Sequence, residues 1–320
     1  MNTKAYLFLL SMLICAPVGA QSWPQRALRL VVPNAPGGGS DTVARVLAER
    51  LTPALGQQIV VENRAGAGGR QAAEYVAKSA ADGYTLLLGT GATLITARAL
   101  YGRLGYDPEK SFAPVALLAN TAYLLVVHPS VPAGTVRQLI GLAKAQPGAL
   151  NYSSSGAGSP SHLATELFCA MAGTRLTHIP YKGSAPGTLA VMQGESALMF
   201  SNFIAAQPYV KSNRVRSLGI STAWRSVLAP EWPTIQEAGL PGYEVLQYYS
   251  VVAPAGTAGS IIQRLHDEIT KHFRVPATQR QLASQGAEVQ VSTPAELAII
   301  TAREIAKWSA LIHKLGIQSE

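Results

Sequence analysis

The chain has 320 residues, of which 48% are hydrophobic, and its formal net charge is +8 at pH 7. Its basic residues are scattered and form no Lys/Arg stripe with interleaved aromatic residues, so we exclude a nucleic-acid partner. Beyond the N-terminal leader the only cysteine is Cys169, which excludes an internal disulfide and a cysteine zinc site and predicts a small buried side chain.

Residues 1–20 have the pattern of a secretory signal peptide, with an apolar run from Ala5 to Ala16 and small residues ending at Ala20. We therefore predict export to the periplasm and cleavage near Ala20. Cys15 would carry the lipid of a lipoprotein, but Ile14 stands where a small residue is needed. No later stretch approaches about 18 consecutive apolar residues, so the mature chain is predicted to be soluble.

The rest of the chain alternates between short β-rich runs and helical runs. This alternation predicts α/β layers with mostly parallel sheets. Strands are predicted at residues 27–33, 57–63, 84–90, 114–119, 122–129, 150–155, 176–183, 196–202, 215–222 and 249–255. Helices are predicted at about residues 41–55, 71–79, 135–146, 185–194, 260–273, 276–285 and 294–315, with a loop and helix across 156–173.

The mature chain, about 300 residues long, suits two hydrophobic cores better than one. We predict that residues 22–120 and 250–320 form a first domain and that residues 124–246 form a second. Hinge strands near residues 118–126 and 246–254 are expected to cross between the two domains.

The first glycine-rich loop, "PNAPGGGSD" at residues 33–41, lies between a predicted strand and a predicted helix. Its glycines leave backbone N–H groups exposed at a helix N-terminus, where the helix dipole favours an anion, and Ser40 or Asp41 can cap the helix. The Lys-Ser/Thr of a phosphate loop and the spacing of a dinucleotide fingerprint are both missing. The alternative is a tight turn with a purely structural role.

A second loop of the same design, "NYSSSGAGSPSHL" at residues 151–163, offers serine hydroxyls and is again expected to present backbone N–H groups. Ligands of open α/β sheets bind outside the carboxyl ends of the strands, where both loops are predicted to lie. We therefore predict that the two loops are the two sides of one cleft.

A third candidate, "HIPYKGSAPG", starts at His178. Tyr181 offers a flat face and a hydroxyl, Lys182 a positive charge and Gly183 room for close approach; the alternative for Lys182 is a solvated loop lysine. Neither His162 nor His178 has a carboxylate or cysteine at metal-ligand spacing, so capping or packing is the favoured role for each.

Enzyme motifs are missing from the sequence. There is no HExxH, no GxSxG and no Walker A motif, and acidic residues are too sparse to suggest a glycosidase carboxylate pair. We predict no catalytic activity, no cofactor and no metal.

Many stretches, in this order, resemble the Bug (TctC-like) family, the extracytoplasmic solute-binding proteins of tripartite tricarboxylate transporters. They include "LRLVVPNAPGGGSDTVARVLAERL", "GQQIVVENRAGAGG", "ADGYTLLLGT", "YSSSGAGSPSHLATELF", "HIPYKGSAP", "PTIQEAGLPGYEV" and "STPAELAIITAREIAKWSALIHKLGI". The resemblance covers essentially the whole mature chain. It implies a periplasmic-binding-protein fold of two α/β domains, small carboxylate ligands and a membrane permease as partner.

The resemblance also implies which residues contact the ligand. On the positions that match the family, together with the candidates above, these are Pro36, Gly37, Gly38, Gly39, Ser40, Asp41, Gly66, Gly68, Arg70, Ser154, Ser155, Gly156, Gly158, Ser159, His162, Tyr181, Lys182, Gly183 and Ser201.

Two of these residues depart from the family pattern. Ser201 stands where many members have Asp; a neutral hydroxyl favours a plain mono- or dicarboxylate, aromatic acids included, over an amino acid. Arg70 stands where Asn is frequent. It is either a bidentate carboxylate ligand that faces the cleft or a surface arginine at a helix start.

We therefore predict a monomeric solute-binding protein that captures a small carboxylate by hinge closure and delivers it to the permease subunits of a tripartite transporter. One alternative is a ligand sensor that signals to a membrane kinase. The other is an exported enzyme that acts on small acids.

Overall fold

The computed structural model of the protein describes residues 23–227 and 229–317. The predicted signal peptide, residues 1–20, lies outside the described residues. The strands are β1 Leu28–Val32, β2 Ile59–Asn63, β3 Thr85–Thr90, β4 Phe112–Val127, β5 Asn151–Ser154, β6 Thr177–Pro180, β7 Leu198–Asn202, β8 Arg216–Ile220, β9 Leu246–Pro254 and β10 Glu288–Val289. The α-helices are α1 Gly39–Leu55, α2 Arg70–Ala77, α3 Ala97–Tyr101, α4 Val136–Ala145, α5 Pro160–Ala172, α6 Ser184–Gln193, α7 Phe203–Lys211, α8 Gly259–Phe273, α9 Pro276–Ala283 and α10 Pro294–Leu315.

The strands follow the order β2-β1-β3-β9-β4-β7-β5-β6, and β8 and β10 also pair with β4. The parallel pairing expected from the sequence is found in two blocks, β2-β1-β3 and β7-β5-β6. Every pair that contains β4 or β9 is antiparallel. The reason is that β4 and β9 carry the chain between the blocks in opposite directions.

The strand directions turn the carboxyl ends of the two blocks toward each other. Both β3 and β4 are antiparallel to β9, so β4 runs in the same direction as the first block and against the second. Thr90 at the end of β3 pairs with Tyr249, which also pairs with Ala119 of β4, whereas Asn202 at the end of β7 pairs with Tyr123. The two ends are therefore four residue steps apart along β4, about 13 Å at 3.3 Å per residue.

β4 is one strand of 16 residues, not the two separate strands predicted at 114–119 and 122–129. The sequence predicted a break between two strands at Asn120 and Thr121 because both residues are polar. In the fold both are buried and satisfied: Asn120 Nδ2 donates to Gln290 Oε1 at 2.6 Å and Thr121 Oγ1 donates to the Gly286 carbonyl at 2.7 Å. The segment before α10 thus supports the middle of the crossing strand.

Five short elements were not predicted: α3, α7, the two-residue strand β10, a π-helical turn at Ala92–Thr96 and a 3₁₀ turn at Ala67–Gly69. Each is nine residues or fewer, and α7 contains Pro208, so periodicity gives little signal there. The predicted buried position of Cys169 is confirmed; burial, and then the nearby Glu166, raise the pKa of its thiol to about 12. Among the described helices, none is both long and apolar enough to cross a membrane.

Candidate ligand-binding site

The first glycine loop ends at a helix N-terminus that no side chain caps. Gly38 is the N-cap, in extended conformation, and α1 begins at Gly39. The first helical hydrogen bond runs from the Thr42 N–H to the Gly38 carbonyl at 3.0 Å, so four backbone N–H groups precede it. The expectation that Ser40 or Asp41 caps this helix is wrong, because both lie inside its first turn.

Asp41 supports the first loop, and both of its carboxylate oxygens accept hydrogen bonds from protein groups. Its Oδ2 accepts the Gly37 N–H at 2.9 Å and the Arg45 Nε–H at 2.8 Å, and its Oδ1 accepts from Asn63 Nδ2 at 3.0 Å. Burial opposes ionisation of this carboxyl, but these hydrogen bonds outweigh burial and hold the pKa of Asp41 below its ordinary value. Gly37 has φ +84°, a conformation that favours glycine, and the Asp41 bond fixes it.

The second glycine-rich loop packs against the first. Gly69 has φ +84°, and a Cβ there would lie 2.7 Å from Pro33 Cβ and 2.8 Å from Thr93 Cγ2. Gly68, at φ +65°, leaves no room for a Cβ either, since one would lie 2.6 Å from the Tyr101 hydroxyl. Gly69 thus lets the start of α2 pack against the loop that precedes α1, and Gly68 leaves space for the Tyr101 side chain.

Arg70 is the first residue of α2. Its Nε–H donates to the Ala67 carbonyl at 2.9 Å, and its guanidinium lies 3.7 Å from the centroid of the Tyr101 ring. Within the described part of the chain, nothing accepts a hydrogen bond from its two terminal nitrogens. A planar, stacked guanidinium with free terminal N–H groups fits a carboxylate.

The serine loop between β5 and α5 is hydrogen-bonded mainly to itself. The Ser155 N–H donates to Ser161 Oγ at 2.8 Å and the Gly158 N–H to His162 Nδ1 at 2.9 Å. Ser159 caps α5 by accepting from the His162 N–H. The expectation that this loop presents its backbone N–H groups is therefore wrong for these residues, because short polar side chains reach them first. What the loop offers is hydroxyls.

His178 fixes the other end of the same loop. Its Nε2 lies 2.7 Å from Ser154 Oγ, which accepts the Gly156 N–H at 3.1 Å. Ser154 is fully buried. Both histidines thus pack and support the loop. The expectation that no carboxylate stands at ligand spacing is wrong for His162, since Glu166 lies one helical turn later on α5. Among the described residues, no cluster of three or more His, Cys, Asp or Glu could hold a metal ion.

The turn after β6 leads to a second uncapped helix, α6. Gly183 is its N-cap at φ +119°, with no side-chain hydrogen bond. Tyr181 donates its hydroxyl to Glu195 Oε2 at 3.2 Å, and its N–H to the Ser154 carbonyl joins this turn to the serine loop. Lys182 is exposed.

Ser201 does not turn a free hydroxyl outward. It is fully buried, and its Oγ lies 2.6 Å from Thr188 Oγ1. One residue that lies at the first loop was not predicted from the sequence. Tyr249 of β9 is buried, and a Cβ on Gly39 would lie 2.5 Å from its hydroxyl oxygen.

A family profile described as tripartite tricarboxylate transporter family receptor matches residues 43–317 of the chain. The chain belongs to this receptor family. Among its relatives in the family, protein BugT of Bordetella pertussis is 36% identical over 311 residues, which cover 97% of this chain and 95% of BugT. A UPF0065 protein from Pseudomonas sp. strain P51 is 37% identical over 292 residues, 91% of this chain and 87% of its own length.

Solved structures give the same family and fold. An R. palustris protein solved with adipate is 38% identical, with a TM-score of 0.82 over 93% of this chain and 100% of its own. MatC from Rhodopseudomonas palustris with bound malate is 33% identical, with a TM-score of 0.76 over 91% of this chain and all of MatC. The predicted membership of the Bug (TctC-like) family and the predicted two-domain periplasmic-binding-protein fold are confirmed.

Proposed function

We propose that this receptor captures a small carboxylate between its two domains and delivers it to the permease subunits of a tripartite transporter in the periplasm. The observation that carries the proposal is the uncapped N-terminus of α1, which follows the carboxyl end of β1 in the first strand block. Exposed N–H groups at the positive end of a helix dipole favour an anion. The short N–H-rich turn suits a carboxylate oxygen better than a bulky group.

A dicarboxylate fits the two sides of the gap best. The first carboxylate would meet the α1 N-terminus, with Arg70 as a further donor from α2. The second would meet the hydroxyls of Ser155 and Ser159 and the turn that carries Lys182. Adipate and malate, which the two R. palustris proteins were solved with, are both dicarboxylates, and this supports the same class of ligand here.

Capture requires the two domains to move together. We propose the boundaries predicted from the sequence, with β4 and β9 as the hinge strands. A ligand that contacts both domains binds the closed form better than the open form and so shifts the population toward closure. The permease would then distinguish the closed receptor from the open one. Nothing in this step requires catalysis.

A thermal-shift screen of residues 21–320, unfolded and refolded to remove any carried ligand, tests the proposal. The panel holds malate, adipate, longer and aromatic diacids, matching monoacids, amino acids and sugars. A ligand at a hundred times its dissociation constant adds about 2.7 kcal/mol of stability. We expect shifts with carboxylates; shifts with sugars alone, or with none of the panel, would contradict the proposal.

A further inference from the structure

We propose that Tyr249 donates its phenolic hydrogen to the carboxylate bound at the N-terminus of α1, and that position 39 is glycine to leave room for that hydroxyl. The inference rests on the proposed function, since it adds a donor to the same site. It makes a hinge strand, and not only the loops, part of ligand recognition.

The Tyr249 hydroxyl lies near the carboxyl end of β3, beside the start of α1. Tyr249 pairs with Thr90, where β3 ends, and with Ala119 on the crossing strand β4. A Cβ built on Gly39 would lie 2.5 Å from the Tyr249 hydroxyl oxygen and 3.4 Å from its Cζ. The hydroxyl therefore lies against the first turn of α1, beside the backbone N–H groups that precede its first hydrogen bond.

This hydroxyl has no partner in the protein. Tyr249 is only 5% exposed, and within residues 23–227 and 229–317 no group hydrogen-bonds to its oxygen. Other buried tyrosines are satisfied: Tyr106 donates to the Thr93 carbonyl at 2.7 Å and Tyr243 to the Ala164 carbonyl at 2.9 Å. The side chain is buried but its hydroxyl oxygen itself is not fully buried, so it keeps contact with solvent, and a ligand oxygen that replaces this solvent can accept its hydrogen.

The chemistry of the hydroxyl suits an anion. Burial raises the pKa of Tyr249, so its oxygen keeps its hydrogen at neutral pH and acts as a donor. It stands beside N–H groups that are also donors only. A carboxylate oxygen can accept from both at once, whereas an ammonium group can accept from neither. Tyr249, a residue of the hinge strand β9, thus adds selectivity for an acid.

The test compares wild type with Tyr249→Phe by calorimetry, using the acid of the panel that binds wild type most tightly. Removing a hydrogen bond to a charged group is expected to weaken binding about tenfold or more. The melting temperature of the ligand-free variant should not fall below that of wild type, because the lost hydroxyl has no protein partner. Tyr243→Phe, which removes a buried hydroxyl that already has a partner, is the matched control and should leave affinity unchanged.

A double-mutant cycle in the absence of ligand checks the geometry independently. Gly39→Ala should destabilise wild type, because the new Cβ meets the hydroxyl, and should cost less in the Tyr249→Phe background. Equal affinity of wild type and Tyr249→Phe for the acid would overturn this inference and leave the proposed function intact. If no acid binds wild type at all, the proposed function and this inference both fail.

Discussion

The imidazole rings of His162 and His178 stack in parallel, with centroids 4.0 Å apart and planes 4° apart. The centroid of the Tyr152 ring lies 4.9 Å from that of His178 and 6.2 Å from that of His162, and Glu166 Oε1 lies 4.0 Å from His162 Nε2. The Nδ1 of His162 accepts the Gly158 N–H, which requires that nitrogen to be unprotonated. The serine loop is thus built on neutral histidines.

The histidine stack should make stability fall in mild acid. Burial, and then His178, lower the pKa of His162 to about 4, and burial also lowers the pKa of His178. Between the ordinary value of about 6.5 and about 4, the unfolded chain binds more protons than the folded chain. Stability should therefore decrease as pH falls through this window, by up to about 1.4 kcal/mol per pH unit for one histidine.

Urea unfolding at a series of pH values measures this slope. His162→Asn is the informative variant, because its amide oxygen can accept the Gly158 N–H without titrating. We expect a shallower slope for the variant than for wild type across pH 4 to 6.5. Identical slopes would show that His162 is not the group that titrates.

Gly38→Val should weaken binding of the acid at least tenfold without unfolding the protein. A Cβ at Gly38 would meet only the Ala35 carbonyl oxygen, at 3.8 Å, and its φ of −85° suits any residue. The added side chain therefore obstructs the approach of ligand and not the fold. Gly259→Val is the control, since Gly259 starts α8 after the end of β9 that pairs with the start of β4, and it has open space around it. Equal affinity in calorimetry for both variants would rule out the α1 site.

Gly69→Ala should destabilise the protein more than Gly56→Ala. Both glycines have positive φ, +84° and +66°, so both substitutions carry a backbone cost of about 1 kcal/mol. Only at Gly69 does the new Cβ also meet rigid neighbours, Pro33 and Thr93, and overpacking adds about 1–3 kcal/mol. Urea unfolding of the two variants should differ accordingly; the same cost at both positions would mean that the two loops do not pack as described.

Arg70→Lys should lower affinity for a dicarboxylate about tenfold and for the matching monoacid by less. Lysine keeps the charge but loses the planar fork and the stacking on Tyr101. Arg98→Lys serves as the control, because Arg98 lies on the neighbouring helix α3 and pairs with Asp107. A similar loss in both variants would indicate a general charge effect, and no loss in either would make Arg70 a surface arginine.

Sequence pattern located the two loops well because both depend on local chemistry. Strand periodicity, three consecutive glycines and helical periodicity place "PNAPGGGSD" between β1 and α1, and the structure has α1 only two residues longer than predicted. The serine loop was located equally well. Its hydrogen bonds were not, because Ser155 and Ser161 satisfy each other only once α5 folds back on the strand.

The residues that escaped prediction depend on long-range packing. Tyr248 and Tyr249 are adjacent in a strand and both are buried, so alternation alone does not say which one reaches α1. Ser201 of β7 was expected from the resemblance to contact ligand, yet its hydroxyl contacts that of Thr188 on α6. Asn63 braces Asp41 from the end of β2 across 22 positions of sequence. Such contacts follow from strand order, which composition and periodicity do not contain.

Glycine-selective ¹⁵N labelling gives the most direct measurement of the proposed site. The amide resonances of Gly37, Gly38 and Gly39 would be assigned from single substitutions and followed as the best-binding acid is added. The free N–H groups of Gly38 and Gly39 should shift most, while Gly37, Gly156 and Gly158, whose N–H groups already have partners, should shift less. Saturation of the protein by the acid with Gly38 and Gly39 unmoved would show that the carboxylate is held elsewhere.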